Sequence, residues 1–234
     1  HAPIVQRIAC SPVVIAAVLR VLGLVIGILL INELENFIKC IDEEVVGRRI
    51  GRDTVFIGLT DDYEAEGFDR TIMSLPEAHD KLVEEVLKVN KNVVVVLAGG
   101  SPVEMPWNDG VAAILNSYLG GQAGAGAVAD ILSGAVNPSG KLPETYPMCY
   151  NCTPAKNNFP GNPASVEYRE SIYIGYRYYE KIAKTVRYPF GFGLSYTKFE
   201  KEFVSAEKTE DGFSFRYKVK NIGDYEGALA IQVY

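Results

Sequence analysis

In Asn92-Val-Val-Val-Val-Leu97, four consecutive β-branched residues lead into a leucine without a polar interruption. A strand with one face in water alternates apolar and polar residues, whereas a strand covered on both faces is apolar throughout. This run therefore predicts a strand that is covered on both faces. Residues 54–59, upstream, and 111–115, downstream, are shorter apolar runs that predict two more strands.

A helix is predicted between the first two strands. Ser74 and Glu77 stand in the S-x-x-E register of a capping box, and Pro76 falls in the first turn, where its missing N–H is tolerated. His79 lies in this helix and is predicted to be structural. The apolar face consists of Ala78, Leu82, Val83, Val86 and Leu87.

A second helix is predicted over residues 122–132, entered through Gly120-Gly121. The glycines at 120, 121, 124 and 126 do not match GxGxxG, and no Lys-Ser/Thr pair follows, so close helix–strand packing explains them better than a phosphate loop. The order strand, helix, strand, strand, helix predicts an α/β fold, a mostly parallel sheet flanked by helices in an α/β sandwich.

The character of the chain changes after residue 137. Residues 143–163 are rich in Pro, Asn and Gly and predict an irregular surface segment. From Phe213 the residues alternate in the manner of a half-buried strand, a turn follows at residues 221–224, and residues 228–234 predict another strand. This is the expected start of a β-sandwich, which breaks off at the last residue.

Residues 12–31 form an apolar run whose one charge is Arg20. The run is long enough to span a bilayer, but a charge near its centre costs about 3 kcal/mol there. A membrane anchor is therefore the weaker alternative to a buried segment. No signal-peptide pattern surrounds the run, so the cellular location stays open. Residues 33–50 predict an amphipathic helix, and residues 1–50 remain unassigned.

The charge balance and the cysteines exclude several kinds of site. Lys and Arg number 23 against 29 for Asp and Glu, a net charge of −6, which argues against a nucleic-acid partner. Cys149 and Cys152 have CxxC spacing, typical of a redox pair or half a zinc site, but His1 and His79 are the only histidines. We expect ordinary loop cysteines and no metal or cofactor.

Residues 60–73 carry a cluster of charges directly after the first strand, where α/β sheets bind their ligands. Taken alone, this cluster is typical of a solvated acidic loop. The charged residues are Asp61, Asp62, Glu64, Glu66, Asp69 and Arg70.

Eight stretches in one order resemble glycoside hydrolase family 3 of the bacterial β-glucosidase type. They are Glu64-Ala-Glu-Gly-Phe-Asp-Arg70, Ser74-Leu-Pro76, Asn92-Val-Val-Val-Val-Leu97, Ser101-Pro-Val-Glu-Met-Pro-Trp107, Gly121-Gln122, Asn137-Pro-Ser-Gly-Lys-Leu-Pro143, Gly175-Tyr-Arg-Tyr-Tyr179 and Tyr188-Pro-Phe-Gly-Phe-Gly-Leu-Ser-Tyr-Thr197.

The resemblance implies an enzyme of three parts: a (β/α)8 barrel with a nucleophilic Asp, an α/β sandwich with the acid/base Glu, and a fibronectin type III-like domain. Residues 51–199 match the second part and residues 200–234 the start of the third. No stretch matches the barrel or its nucleophile motif. The barrel of the same enzyme is thus the expected partner, and a homo-oligomer is left open.

The resemblance also implies roles for residues of the acidic loop. Glu66 aligns with the acid/base, and Glu64 is its local competitor. A retaining glycosidase needs a second carboxyl group about 5–5.5 Å away as nucleophile. Asp69 and Arg70, an adjacent pair of opposite charge, are expected to fix the loop rather than contact substrate. Trp107 offers two alternatives, stacking on a sugar face or packing in the core.

The expected function is that of a fragment of a retaining, exo-acting β-glycosidase, inactive as an isolated chain. A β-glucosidase acting on β-linked glucosides or oligosaccharides is favoured by the Glu-Gly-Phe-Asp-Arg form of the loop, although in this family the barrel supplies most contacts to the sugar. The alternatives are a non-catalytic carbohydrate-binding or interaction module and a membrane-anchored accessory protein.

Overall fold

A computed structural model of the chain describes residues 53–162 and 164–233. Three parallel strands form the central sheet of this part. The strands are β1 (Asp53–Gly58), β2 (Val93–Ala98) and β3 (Ala113–Asn116), hydrogen-bonded in the order β1-β2-β3. Both neighbouring pairs are parallel. The three predicted strands and the α/β class are therefore confirmed, with the valine run in the middle of the sheet.

Helix α1 (Glu77–Val89) connects β1 to β2 and begins two residues later than a capping box requires. Pro76 occupies the position before the helix, and no side chain caps the N-terminus, so the predicted cap by Ser74 is wrong. The physical reason is that a residue preceding proline avoids the helical conformation, and Leu75 precedes Pro76. The Pro76 carbonyl instead accepts a hydrogen bond of 2.8 Å from the His79 N–H.

One face of the sheet packs against α1. Side chains of alternate strand residues point to this face, as the pleat of a strand requires. Ala78 is exposed, so it does not belong to the apolar face predicted for this helix. The buried residues of this larger core include Val55, Ile57, Val83, Val86, Leu87, Val93, Val95, Leu97, Val103, Met105, Trp107 and Tyr146.

The opposite face of the sheet packs against helix α2 (Gly124–Ser133). Val96 of β2 and Val128 of α2 are the buried residues of this smaller core, supported by Phe56 and Leu115. The unbroken run of valines follows from this arrangement, because successive residues of β2 enter two different cores.

The four glycines at the start of α2 are explained by different features of the structure. Gly121 has a positive φ of 58°, and a Cβ on Gly120 would lie 2.8 Å from the Cα of Gly124. A Cβ on Gly124 or Gly126 would meet no described atom within 4 Å. Close helix–strand packing is therefore the wrong explanation for these last two glycines, which lie on the open side of the helix.

The rest of the described chain consists of short elements and one hairpin. Strands β4 (Tyr146–Pro147) and β5 (Val186–Tyr188) pair antiparallel, and helix α3 (Tyr176–Lys181) lies between them in sequence. Strands β6 (Phe199–Thr209) and β7 (Gly212–Asn221) form the hairpin.

The hairpin confirms the predicted change to antiparallel β structure. Its first strand, β6, is not predicted from the sequence, because charged residues interrupt its apolar pattern. The predicted strand over residues 228–234 is wrong over its described part: residues 228–233 are not assigned to a strand and pair with no other described segment.

Asn137 joins three separate parts of the chain. Its side-chain oxygen accepts hydrogen bonds from the Ser195 hydroxyl at 3.0 Å and from the Tyr196 N–H at 2.8 Å. Its side-chain amide donates to the Glu226 carbonyl at 2.9 Å. A single amide thus ties the loop after α2 to the segments on either side of the hairpin.

Several predicted features lie outside the described residues. They are the apolar run at 12–31 with Arg20, the amphipathic helix at 33–50, and His1. None of the helices in the described part of the chain has both the length and the apolar character that crossing a membrane requires.

Candidate functional site

The loops that follow the three parallel strands meet at one edge of the sheet. The Leu59 N–H donates to the Ala98 carbonyl at 2.9 Å, and the Gly99 N–H donates to the Tyr118 carbonyl at 3.3 Å. In open α/β sheets this carboxyl edge is where ligands bind. The acidic loop after β1 therefore lies at the edge that the sequence indicates.

Glu66 lies at the tip of a tight turn in the acidic loop. Ala65 and Phe68 pair across the turn in an isolated antiparallel bridge, which leaves Glu66 and Gly67 at its tip. The Glu66 side chain is exposed. It makes no hydrogen bond or ion pair with any of the residues that the structure describes, so its carboxylate is available to an external group.

Glu64, two residues earlier, is fully engaged. One carboxylate oxygen accepts a hydrogen bond of 2.7 Å from the Gly100 N–H, and the other accepts one of 2.5 Å from the Ser101 hydroxyl. Both donors follow β2, so the Glu64 carboxylate joins the loop after β1 to the loop after β2. The two carboxylates that the sequence leaves as competitors thus differ in the structure: Glu64 is hydrogen-bonded through both oxygens, and Glu66 is exposed.

Arg70, on the other side of the turn, binds the same serine. Its guanidinium donates to the Ser101 hydroxyl at 2.6 Å and to the Pro102 carbonyl at 3.3 Å. Burial lowers the pKa of Arg70, and the nearby charge of Glu64 opposes that shift. Arg70 thus fixes the loop as expected, although its contacts are with the loop after β2.

Asp69 does not take part in this fixation. It is exposed, whereas Arg70 is half-buried, so the two adjacent side chains point to different surroundings. No ion pair joins them among the described residues. The expectation that Asp69 and Arg70 act as an opposite-charge pair is therefore wrong.

Trp107 lies in the core. Its side chain is 4% exposed, and its indole N–H donates a hydrogen bond of 2.8 Å to the Asp80 carboxylate on α1. A ring enclosed in this way has no free face for a sugar. Of the two alternatives for Trp107, the structure therefore supports packing in the core.

A third carboxyl group lies near the acidic loop. Glu144 is half-buried, and burial raises its pKa, with a further contribution from the negative charge of Glu64. The sequence does not indicate Glu144 as a site residue, because it belongs to the irregular segment after residue 143. Gly100 and Ser101 are also missed as site residues, although Ser101 opens one of the stretches that carry the resemblance and both lie within three residues of the end of β2.

The cysteines and histidine of the described chain do not form a metal centre. Cys149 and Cys152 form a disulfide in a short 3-10 turn, so treating them as ordinary loop cysteines is wrong. His79 is half-buried on α1, and burial lowers its pKa while a hydrogen bond with the Gly58 backbone opposes the shift. Residues 53–162 and 164–233 contain no group of three metal-ligating side chains.

Comparison with known proteins identifies relatives of the chain. The family model of the glycosyl hydrolase family 3 C-terminal domain matches residues 43–196. The thermostable beta-glucosidase B of Acetivibrio thermocellus is 51% identical over 184 residues, which cover 77% of this chain and 24% of that protein. The exo-alpha-(1->6)-L-arabinopyranosidase of Bifidobacterium longum is 40% identical over 206 residues, 86% of this chain and 27% of that protein.

Solved structures share the fold. The crystal structure of the beta-glucosidase from Kluyveromyces marxianus in complex with glucose has a TM-score of 0.71 and 42% identity, over 74% of this chain and 21% of that one. The chain therefore spans about a quarter of the length of the relatives that it matches.

Proposed function

Because this chain belongs to glycoside hydrolase family 3, we propose that it supplies the general acid/base, Glu66, of a retaining, exo-acting β-glycosidase. The nucleophile would be an Asp on a (β/α)8 barrel, for which these 234 residues contain no counterpart. The substrate class is a β-linked glucoside or oligosaccharide. The coverage of about a quarter of each relative supports a chain that forms part of a larger enzyme.

One observation carries the assignment of Glu66 over Glu64. An acid/base must approach the glycosidic oxygen and exchange a proton with it, so its carboxyl group has to be accessible. Glu66 is exposed at the tip of its turn and has no partner among the described residues. Both oxygens of Glu64 already accept hydrogen bonds from the loop after β2.

The surroundings of the turn support a partner domain that covers it. Phe68, two residues after Glu66, is 47% exposed, and Leu119, at the same edge of the sheet, is 74% exposed. Both are large apolar side chains exposed near the carboxyl edge of the sheet, where a docked domain could bury them. A barrel docked here would bring its nucleophile towards Glu66.

In the first step of the proposed reaction, the nucleophilic carboxylate attacks the anomeric carbon while the Glu66 carboxyl protonates the departing glycosidic oxygen. A covalent glycosyl-enzyme results, and Glu66 is left ionised. In the second step, Glu66 takes a proton from water as the water oxygen attacks the anomeric carbon. The nucleophile is released, and Glu66 is protonated again.

The sugar is assigned through the relatives. The relative at 51% identity and the solved structure at 42% are both named beta-glucosidases. The Bifidobacterium longum relative is named an arabinopyranosidase at 40% identity. These identities favour a glucoside, and the contacts that select the sugar would come from the barrel.

The coding sequence on both sides of this chain gives the first test. A (β/α)8 barrel with its Asp in the same reading frame, or in a partner gene, supports the proposal. Its absence would contradict it, because Glu66 alone cannot complete the two-step reaction.

The second test compares Glu66→Gln and Glu64→Gln in the complete enzyme. Glu66→Gln should lower kcat/KM for alkyl glucosides, whose leaving groups need a proton, by about 10²–10⁴-fold. Aryl glucosides with acidic phenols should lose much less. Glu64→Gln should cause the smaller loss, and the reverse ranking would reassign the acid to Glu64.

A further inference from the structure

We infer that Ser101 is a positioning residue for the Glu66 turn, holding both ends of that turn to the loop after β2. This inference rests on the proposed role of Glu66. Ser101 is half-buried and lies 37 residues from Glu64 in sequence. Ser101 is too far from the turn in sequence to be recognised from the spacing of a motif. It acts on the turn through the side chains of Glu64 and Arg70.

The geometry has the form of a loop closed on one hydroxyl. Glu64 precedes the turn and accepts a hydrogen bond of 2.5 Å from the Ser101 hydroxyl. Arg70 follows the turn and donates to the oxygen of the same hydroxyl at 2.6 Å. A serine hydroxyl has one donor and free lone pairs, so both bonds form together. The two ends of the turn are therefore anchored at one point.

Gly100 completes the anchor. Its N–H donates to Glu64 at 2.7 Å, and a Cβ at this position would lie 3.2 and 3.3 Å from the two Glu64 oxygens. The side chain of Leu119 would lie 3.3 Å from the same Cβ. Glycine thus allows the Glu64 carboxylate to approach the backbone of the loop after β2 closely.

Removing the hydroxyl would weaken the anchor at both ends of the turn, leaving Glu64 the bond from the Gly100 N–H and Arg70 the 3.3 Å bond to the Pro102 carbonyl. In Ser101→Ala, one Glu64 oxygen loses its donor and Arg70 loses its closest acceptor. Two other Arg70 nitrogens, Nε and Nη2, are buried without a hydrogen-bond partner among the described residues. The serine hydroxyl therefore accepts the shorter of the two hydrogen bonds of this guanidinium, and its loss should make the turn more mobile.

Hydrogen exchange on the 234-residue chain tests the anchor without any assay of activity. In Ser101→Ala we expect the amides of residues 64–70 and of Gly100 to exchange about tenfold faster or more, while those of β2 are unchanged. Ser101→Thr keeps a hydroxyl and should restore slow exchange. Ser133→Ala, which removes an exposed hydroxyl at the end of α2, is the matched control.

If Ser101→Ala fails to fold, Glu64→Gln tests the same anchor from its other partner, because it replaces a carboxylate oxygen with an amide donor. Faster exchange over residues 64–70 in this variant supports the inference. Unchanged exchange in the folded variants would overturn it.

Kinetics of the complete enzyme separate positioning from a purely structural role. In Ser101→Ala we expect kcat for alkyl glucosides to fall about tenfold or more, because a misplaced acid transfers its proton poorly. KM and the rates for aryl glucosides with acidic phenols should change much less, and Ser101→Thr should recover activity. A uniform loss on all substrates would contradict the inference.

The two proposals fail in different ways. If Glu66→Gln shows the leaving-group pattern and Ser101→Ala behaves as the unmodified enzyme, the inference about Ser101 fails and the role of Glu66 stands. If Glu66→Gln does not show that pattern, the proposed function fails, and hydrogen exchange still decides whether Ser101 anchors the turn.

Discussion

The indole N–H of Trp107 donates a 2.8 Å hydrogen bond to the carboxylate of Asp80 and so joins the loop after β2 to helix α1. Burial raises the pKa of Asp80, the bond from Trp107 acts in the opposite direction, and the charges of Glu84 and Glu104 add to the rise. The Trp107 indole N–H therefore needs the Asp80 carboxylate as its acceptor, whereas burial disfavours the negative charge of that carboxylate.

The first prediction concerns loss of this acceptor. Asp80→Ala should lower the free energy of unfolding by about 1–3 kcal/mol, because a buried indole N–H is left without a partner. Urea unfolding of the 234-residue chain measures the change. Asp130→Ala, on the exposed side of α2, should stay within about 0.5 kcal/mol. Equal stability of the two variants would show that the bond is not significant.

The second prediction concerns the charge of Asp80. Because the pKa is raised in the folded state, Asp80 contributes stability below its ordinary value of 3.8, and this contribution is lost as the pH rises through the folded pKa. Asp80→Asn keeps an acceptor for Trp107 and never ionises. Its melting temperature should therefore exceed that of the unmodified chain at pH 7, and the difference should disappear near pH 3.

Equal melting temperatures of Asp80→Asn and the unmodified chain at both pH values would contradict this sign. A lower melting temperature at pH 7 would show that the negative charge itself strengthens the bond to Trp107 by more than its burial costs.

The third prediction compares two glycine-to-alanine substitutions. A Cβ on Gly58 would lie 2.2 Å from the Ala98 carbonyl oxygen, so Gly58→Ala should separate the ends of β1 and β2 and destabilise by about 1–3 kcal/mol. A Cβ on Gly126 meets nothing described within 4 Å. Gly126→Ala should stabilise α2 by about 0.5–1 kcal/mol. Thermal unfolding of both variants should thus show shifts of opposite sign.

The fourth prediction concerns the chain by itself. The purified 234-residue protein should hydrolyse no aryl β-glucoside, because the proposed mechanism needs a nucleophile from the barrel. The measurement is release of nitrophenol at high protein concentration. Turnover that disappears in Glu66→Gln would show that the chain carries its own nucleophile. Turnover that survives in Glu66→Gln would indicate a contaminating enzyme.

The fold was predictable where the pattern is local. Successive residues of β2 enter two cores, so the strand is apolar throughout. This unbroken apolar run correctly predicts that the strand is covered on both faces. The start of α1 depends on the competition between Ser74 as a cap and Pro76 as a constraint on Leu75, and the sequence pattern does not rank the two. β6 was missed because its lysines and glutamates conceal the alternation.

The site was predictable to a smaller extent. The position of the acidic loop follows from the end of β1, so Glu66 and Glu64 could be selected together. The two carboxylates differ in the structure because Ser101 binds Glu64 and not Glu66. Ser101 lies beside the acidic loop only because β1 and β2 pair in parallel. Trp107 shows the same limit, because its partner Asp80 lies 27 residues away on another element.

The bonds of Asn137 need an amide, since its oxygen accepts from Ser195 and Tyr196 while its nitrogen donates to Glu226. Spontaneous loss of ammonia from asparagine begins when the backbone nitrogen of the next residue attacks the side-chain carbonyl. Here the next residue is Pro138, which has no N–H to give up. The junction is therefore resistant to the chemical ageing that would convert its donor into a second acceptor.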